Sequence, residues 1–153
     1  NMQTAITRAL DNIKARVGDI DDFVARKLNL TKADVVGTAD KPGVFSAEQV
    51  DAISMMIDNL DSGRGFIIGD QTGVGKGRAV AAMIRYAQIQ GKTPIFVTAS
   101  EGLYADMYRD LRNIGIHGLL DCCILPAWNG TRNTKASGNL REWCCDGLSV
   151  RWG

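Results

Sequence analysis

The residues best suited to chemistry stand together in one stretch, Gly69-Asp70-Gln71-Thr72-Gly73-Val74-Gly75-Lys76-Gly77-Arg78. Gly73 and Gly75 carry no Cβ, so their backbone N–H groups can converge on an anion at close range. Lys76 adds a positive charge on a stem long enough to reach the β- and γ-oxygens of a phosphate chain. A helix opening near Gly77 aims its positive dipole end at the same place. This pattern is that of a phosphate-binding loop, with Thr72, Gly73, Val74, Gly75, Lys76, Gly77 and Arg78 as the expected ligand-binding residues. Two positions depart from the usual G-x-x-x-x-G-K followed by Ser or Thr. Asp70 replaces the first glycine, and Gly77 stands where a hydroxyl normally holds Mg²⁺. The metal would then need water or another residue.

A loop of this kind works only between a strand and a helix. Phe66-Ile67-Ile68, bounded by Gly65 and Gly69, predicts a short buried strand before it. Val80, Met83, Ile84 and Ala87 predict one apolar face of a helix after it, ended by Gly91. Pro94 to Thr98 predicts a second buried strand. Ser100 is expected to cap a further helix with Leu103, Met107 and Leu111 in line, ended by Gly115. Strand, helix, strand, helix with continuous apolar strands predicts an α/β fold, a parallel βαβ sheet. Upstream, Ile6, Leu10, Ile13 and Val17 make a helical face that Gly18 ends. Asp19 can cap a second helix carrying Ile20, Phe23, Val24 and Leu28. Gly37 to Gly43 predicts a loop, and Ser46 opens a helix with Val50, Ile53, Ile57 and Leu60 on one side. Ser46-Ala47-Glu48-Gln49 fits a capping box.

Residues 44–115 resemble the nucleotide-binding core of the strawberry notch-type family. The strings that carry the likeness are G-F-I-I-G-D-Q-T-G-V-G-K-G-R, T-P-I-F-V-T and Y-R-D-L-R-N-I-G, and the K-G-R ending is the specific part. That family is similar to superfamily 2 helicases and Swi/Snf-type motors, many of which use Asp at the position of Asp70. Its bacterial, phage and plasmid members are large proteins, some linked to DNA modification. The resemblance implies a partial RecA-like P-loop NTPase core that binds ATP with Mg²⁺. It implies Lys76 on phosphates and Gln49, 27 residues upstream, near adenine. Capping remains the other role open to Gln49. The loop after the second strand, Ala99-Ser100, falls where such motors touch a nucleic-acid backbone; a plain helix start is the alternative. The resemblance further implies nucleic acid, taken as DNA, and the remainder of a parent motor as partners. Family members also hold Mg²⁺ and aim the attacking water with an Asp-Glu pair. No Asp-Glu dipeptide occurs in this sequence, and Asp121, followed by Cys122, is a weak substitute.

Composition limits the remaining readings. Eighteen Lys+Arg against seventeen Asp+Glu in 153 residues give a net charge of +1, which excludes binding to nucleic acid through bulk charge. Hydrophobic residues at 45% and charged residues at 23% are ordinary for a globular domain. No apolar run approaches the ~20 residues of a membrane span, and no signal peptide is recognisable, so a cytoplasmic protein without membrane partners is expected. All four cysteines (Cys122, Cys123, Cys144 and Cys145) and all three tryptophans lie in the last 32 residues. Adjacent cysteines cannot easily reach one tetrahedral ion, so no metal site is expected there. The one histidine, His117, reads as a loop or strand-edge residue rather than a base. The expected organisation is a helical extension at 1–43, the partial RecA-like core at 44–121, and an irregular tail at 122–153 that is truncated or out of frame. The chain opens on Asn1-Met2, and an amino-terminal piece of a larger motor is expected, with hydrolysis belonging to the parent. Two other functions stay open: a small P-loop kinase, and a non-catalytic interaction module with a vestigial loop.

Overall fold

The computed structural model describes residues 1–69, 75–98 and 102–115. These residues form six α-helices: α1 (Met2–Val17), α2 (Ile20–Lys27), α3 (Lys32–Val36), α4 (Ala47–Asp61), α5 (Lys76–Ile89) and α6 (Gly102–Asn113). The starts follow from side chains that can satisfy orphan N–H groups. Asp19 accepts from the Asp22 amide at 2.9 Å to open α2. Thr31 and Asp34 close a capping box on α3, a short helix the apolar spacing does not announce. Ser46 and Gln49 close another on α4.

The helices share one apolar core. α4 supplies Val50, Ile53, Met56 and Ile57, and α2 supplies Phe23, Val24 and Ala25, with Leu28 just beyond its end. α5 adds Ala79, Ala81, Ala82, Ile84 and Tyr86, and α6 adds Met107 and Leu111. α4 packs against α1, α2 and α5, and α5 packs against α6. Each fully buried Leu or Ile here contributes about 1.5–3 kcal/mol relative to exposure. The burial of α5 is wider than the single face predicted for it. Three small alanines let neighbours approach from more than one side.

The predicted parallel βαβ core is not seen among the described residues. Among the described residues there is no strand or sheet, and the one β contact is the isolated antiparallel bridge between Gly37 and Pro42. Both predicted strands, Phe66–Ile68 and Pro94–Thr98, lack regular structure. An apolar run reports a tendency to be buried, but a strand exists only where a neighbouring chain pairs its N–H and C=O groups. Within the described residues these segments lie on helices. Ile68 and Phe96 pack against the core. Ile67 and Ile95 are 91% and 86% exposed.

Two polar contacts join α5 to the amino-terminal helices. The buried Arg85 guanidinium donates through Nε to the Leu28 carbonyl at 2.6 Å and through Nη2 to the Asn29 carbonyl at 3.2 Å. It thereby satisfies carbonyls at the end of α2 that the helix itself leaves unpaired. Tyr86 donates its hydroxyl to Oδ1 of Asp61, and Lys27 donates to Oδ2 at 2.7 Å. Partial burial works to raise the Asp61 carboxyl, but the hydrogen bonds from Lys27 and Tyr86 outweigh it and hold the group below its usual 3.8. Burial, followed by the bond to Asp61, pushes the Tyr86 phenol up to about 12.

Tyr86→Phe removes that bond and is expected to lower the unfolding free energy by about 1–2 kcal/mol near neutral pH. A phenol whose folded value is raised contributes stability that is fully present below the ordinary value of 10.0 and is lost as pH rises toward about 12. The gap between wild type and Tyr86→Phe in urea titrations should therefore narrow across that window. A gap that stays constant would contradict the assigned bond.

Candidate functional site

The site is built where the first turns of α4 and α5 meet. Of the expected residues, Gly75, Lys76, Gly77, Arg78 and Gln49 are described. Thr72, Gly73 and Val74 lie outside the described residues, as do Asp70, Ala99, Ser100, His117, Asp121 and the four cysteines.

Gly75 occupies the N-cap of α5 with φ 75° and ψ 31°, in the left-handed region. Only glycine adopts that conformation without steric cost, so the turn into α5 depends on it. No side chain caps this helix. Its first N–H groups therefore keep the capacity to bind an anion, reinforced by the helix dipole. Lys76 is the first helical residue and its side chain is half-buried.

Gln49 fixes the position of that turn. Its Oε1 accepts from the Ser46 amide at 3.0 Å, while its own N–H donates to the Ser46 hydroxyl at 3.3 Å. Its Nε2 donates to the Gly75 carbonyl at 3.0 Å. The same side chain thus closes the capping box of α4 and anchors the start of α5. An adenine contact would require the amide to leave one of these partners. A Cβ at position 75 would run into Gln49 Nε2, a second reason for glycine there. Arg78, expected on the ligand, donates from Nη1 to the Val44 carbonyl at 3.0 Å, which ties α5 to the segment leading into α4.

Gly77 faces α6. A Cβ built on Gly77 would collide with the Asp110 carboxylate, whose Oδ2 lies against it. The place that a Ser or Thr side chain would fill in the usual loop is held by a carboxylate from another helix. A carboxylate at the first turn of a helix is favourable to the dipole by about 0.3–1 kcal/mol. Sequence reasoning quoted Asp110 within Y-R-D-L-R-N-I-G and gave it no role. The available signal was Gly77 itself: a missing hydroxyl calls for an oxygen donor from elsewhere. Among the described residues no three His, Cys, Asp or Glu side chains converge as a metal cluster, and no helix is long and apolar enough to cross a membrane.

The family model described as P-loop containing NTP hydrolase pore-1 matches residues 24–144. The chain belongs to that family. This P-loop NTP hydrolase segment is 34% identical over 107 residues to protein strawberry notch homolog 1 of Gallus gallus, covering 65% of the chain and 9% of that protein. It is 40% identical over 84 residues to strawberry notch homolog 2 of Homo sapiens, covering 50% of the chain and 6% of that protein. It is 41% identical over 113 residues to protein strawberry notch of Drosophila melanogaster, covering 69% of the chain and 7% of that protein. No solved structure matches it. The chain is thus a strawberry notch-type P-loop NTPase region, and it spans less than a tenth of the length of these relatives. The family match starts at residue 24, within α2, and so takes in helices upstream of the 44–115 likeness.

Three substitutions separate the roles of this junction. Gln49→Glu keeps an acceptor for the Ser46 amide but turns a carboxylate toward the Gly75 carbonyl. Gly75→Ala forces an alanine into the left-handed region against Gln49, at a cost of about 1–3 kcal/mol. Gln49→Ala loses cap and anchor together, about 1 kcal/mol or more. Denaturant titrations should show all three destabilised. Hydrogen exchange in Gln49→Glu should rise at the start of α5 and stay unchanged at the start of α4. Equal loosening of both helix starts would contradict the bridging geometry.

Proposed function

We propose that this segment binds the triphosphate of ATP at the amino-terminal end of α5, as part of a longer nucleic-acid motor. The observation that carries the reading is the start of α5: a left-handed Gly75 with no side-chain cap, followed at once by Lys76. Membership of a P-loop NTP hydrolase family supports the same assignment. Residues 72–78 supply backbone N–H groups and the Lys76 ammonium to the phosphates, and Arg78 braces the helix on Val44. ATP, rather than another triphosphate, rests on the resemblance. So does the proposal that the longer protein acts on DNA. The proposed division, a helical extension at 1–43, a nucleotide-binding segment at 44–121 and a tail at 122–153, also rests on the sequence alone.

Lys76→Ala tests the phosphate assignment. Titration with a fluorescent ATP analogue should show the variant weaker by ~10–100-fold, the effect of one charge-assisted hydrogen bond of about 1.5–3 kcal/mol. Its melting temperature should stay near that of wild type, because Lys76 stands at the first position of α5 and is no part of the apolar core. Equal affinity in the two proteins would overturn the assignment.

Hydrolysis is proposed to belong to the longer protein. Transfer of phosphate to water requires the metal held, the water aimed and the developing charge neutralised. Lys76 and the α5 amides address the last requirement alone, and the sequence contains no Asp-Glu dipeptide for the water. A phosphate-release assay on this chain should give turnover below ~1 s⁻¹, the lower range of working enzymes. Faster turnover that vanishes in Lys76→Ala would show that the chain is catalytically complete.

A further inference from the structure

The open question at the phosphate loop is which protein oxygen meets the divalent cation. The usual hydroxyl is absent, because Gly77 has no side chain. The residues present nevertheless fit a Mg²⁺ site. The space beside Gly77 is a cradle that a Cβ would fill, and it holds Oδ2 of Asp110. A carboxylate oxygen is a hard donor, and Mg²⁺ is commonly bound by one or two carboxylates together with substrate phosphates and water. The α6 carboxylate of Asp110 lies against Gly77, one position past Lys76 in the first turn of α5, where the triphosphate is proposed to sit. No ion pair among the described residues includes its carboxylate.

We infer that Asp110 is the metal-binding side chain of this site, and that Gly77 is glycine so that the α6 carboxylate can take the place of the loop hydroxyl. The inference rests on the proposed phosphate site. It assigns to a different helix the oxygen that the usual loop carries within itself. The local geometry explains both halves of the exchange. With Ser or Thr at 77, the Asp110 carboxylate would have to withdraw. The helix dipole draws the carboxylate to the same spot when no nucleotide is bound, and a bound cation would neutralise the negative charges of carboxylate and triphosphate that would otherwise repel. A role confined to capping α5 predicts stability effects and no effect on metal.

The test uses the full chain, a non-hydrolysable ATP analogue and Mn²⁺, whose free form is read by electron paramagnetic resonance. Wild type should bind the analogue in EDTA, and with the analogue saturating it should bind Mn²⁺. Asp110→Ala should weaken Mn²⁺ binding by at least ~10-fold, the lower end of what disturbing a metal's surroundings costs. Its affinity for the analogue in EDTA should hold or improve, since a negative charge has left. Asp110→Ala combined with Gly77→Ser should regain Mn²⁺ binding, because the vacated space now accepts the standard hydroxyl. Unchanged Mn²⁺ affinity in Asp110→Ala overturns the inference, as does a double variant that stays as weak as the single one. If Asp110→Ala fails to fold, Asp110→Asn keeps the shape and meets the same criterion. Failure of wild type to bind the analogue at all would instead refute the phosphate site itself.

Discussion

The amino-terminal turn of α5 must come very close to its neighbours, and much of the molecule is arranged around that approach. Gly75 turns left-handed and presents its carbonyl to Gln49. Gly77, two residues later, brings bare backbone against the Asp110 carboxylate. Neither contact survives a Cβ. Farther along the helix, Ala79, Ala81 and Ala82 continue the same small-residue surface, and α4 and α6 close on it. An α-helix with large residues at these positions would stand farther off, and the two polar contacts at its start would open.

The opposite end of α5 is held by groups of another kind. Arg85 reaches across to the carbonyls of Leu28 and Asn29, and Tyr86 reaches the carboxylate of Asp61. Burying a guanidinium costs free energy unless its donors are satisfied, and here two are. The consequence is positional: α5 is tied to the ends of α2 and α4 at one end, and to the start of α4 through Gln49 at the other. A ligand at the first turn of α5 therefore pulls on a helix that cannot shift without breaking contacts along its length. Such a base suits phosphate recognition, which depends on donors held in advance of the ligand.

Gln49 shows how one residue type serves two readings. Its distance from Lys76 resembles a spacing associated with adenine in superfamily 2 motors, and its distance from Ser46 fits a capping box. In the structure the amide is divided. The oxygen belongs to the cap, and the nitrogen belongs to the Gly75 carbonyl at the start of α5. The capping half follows from local sequence, since both partners lie within one turn. The Gly75 half spans 26 residues and depends on how α4 and α5 pack.

Local sequence determined what local physics controls. The ends of α1, α2, α4 and α5 were legible because Gly18, Asp19, Ser46 and Gly91 act on their own neighbours through φ preference and hydrogen bonds within a turn. Membership of a P-loop family was legible because the residue types of the motif follow one another along the chain. Phe66–Ile68 and Pro94–Thr98 were misjudged because a strand is a property of pairs of segments, and an apolar run says nothing of whether its backbone finds a partner. The short α3 escaped because five residues show no periodicity. Asp110 escaped for the strongest reason: 33 residues separate it from Gly77, and their meeting is decided by the packing of α6 on α5. A glycine in the place of a hydroxyl told the sequence reader that something was missing. Only the tertiary structure, by setting a carboxylate in the space that glycine leaves, could say what stands there.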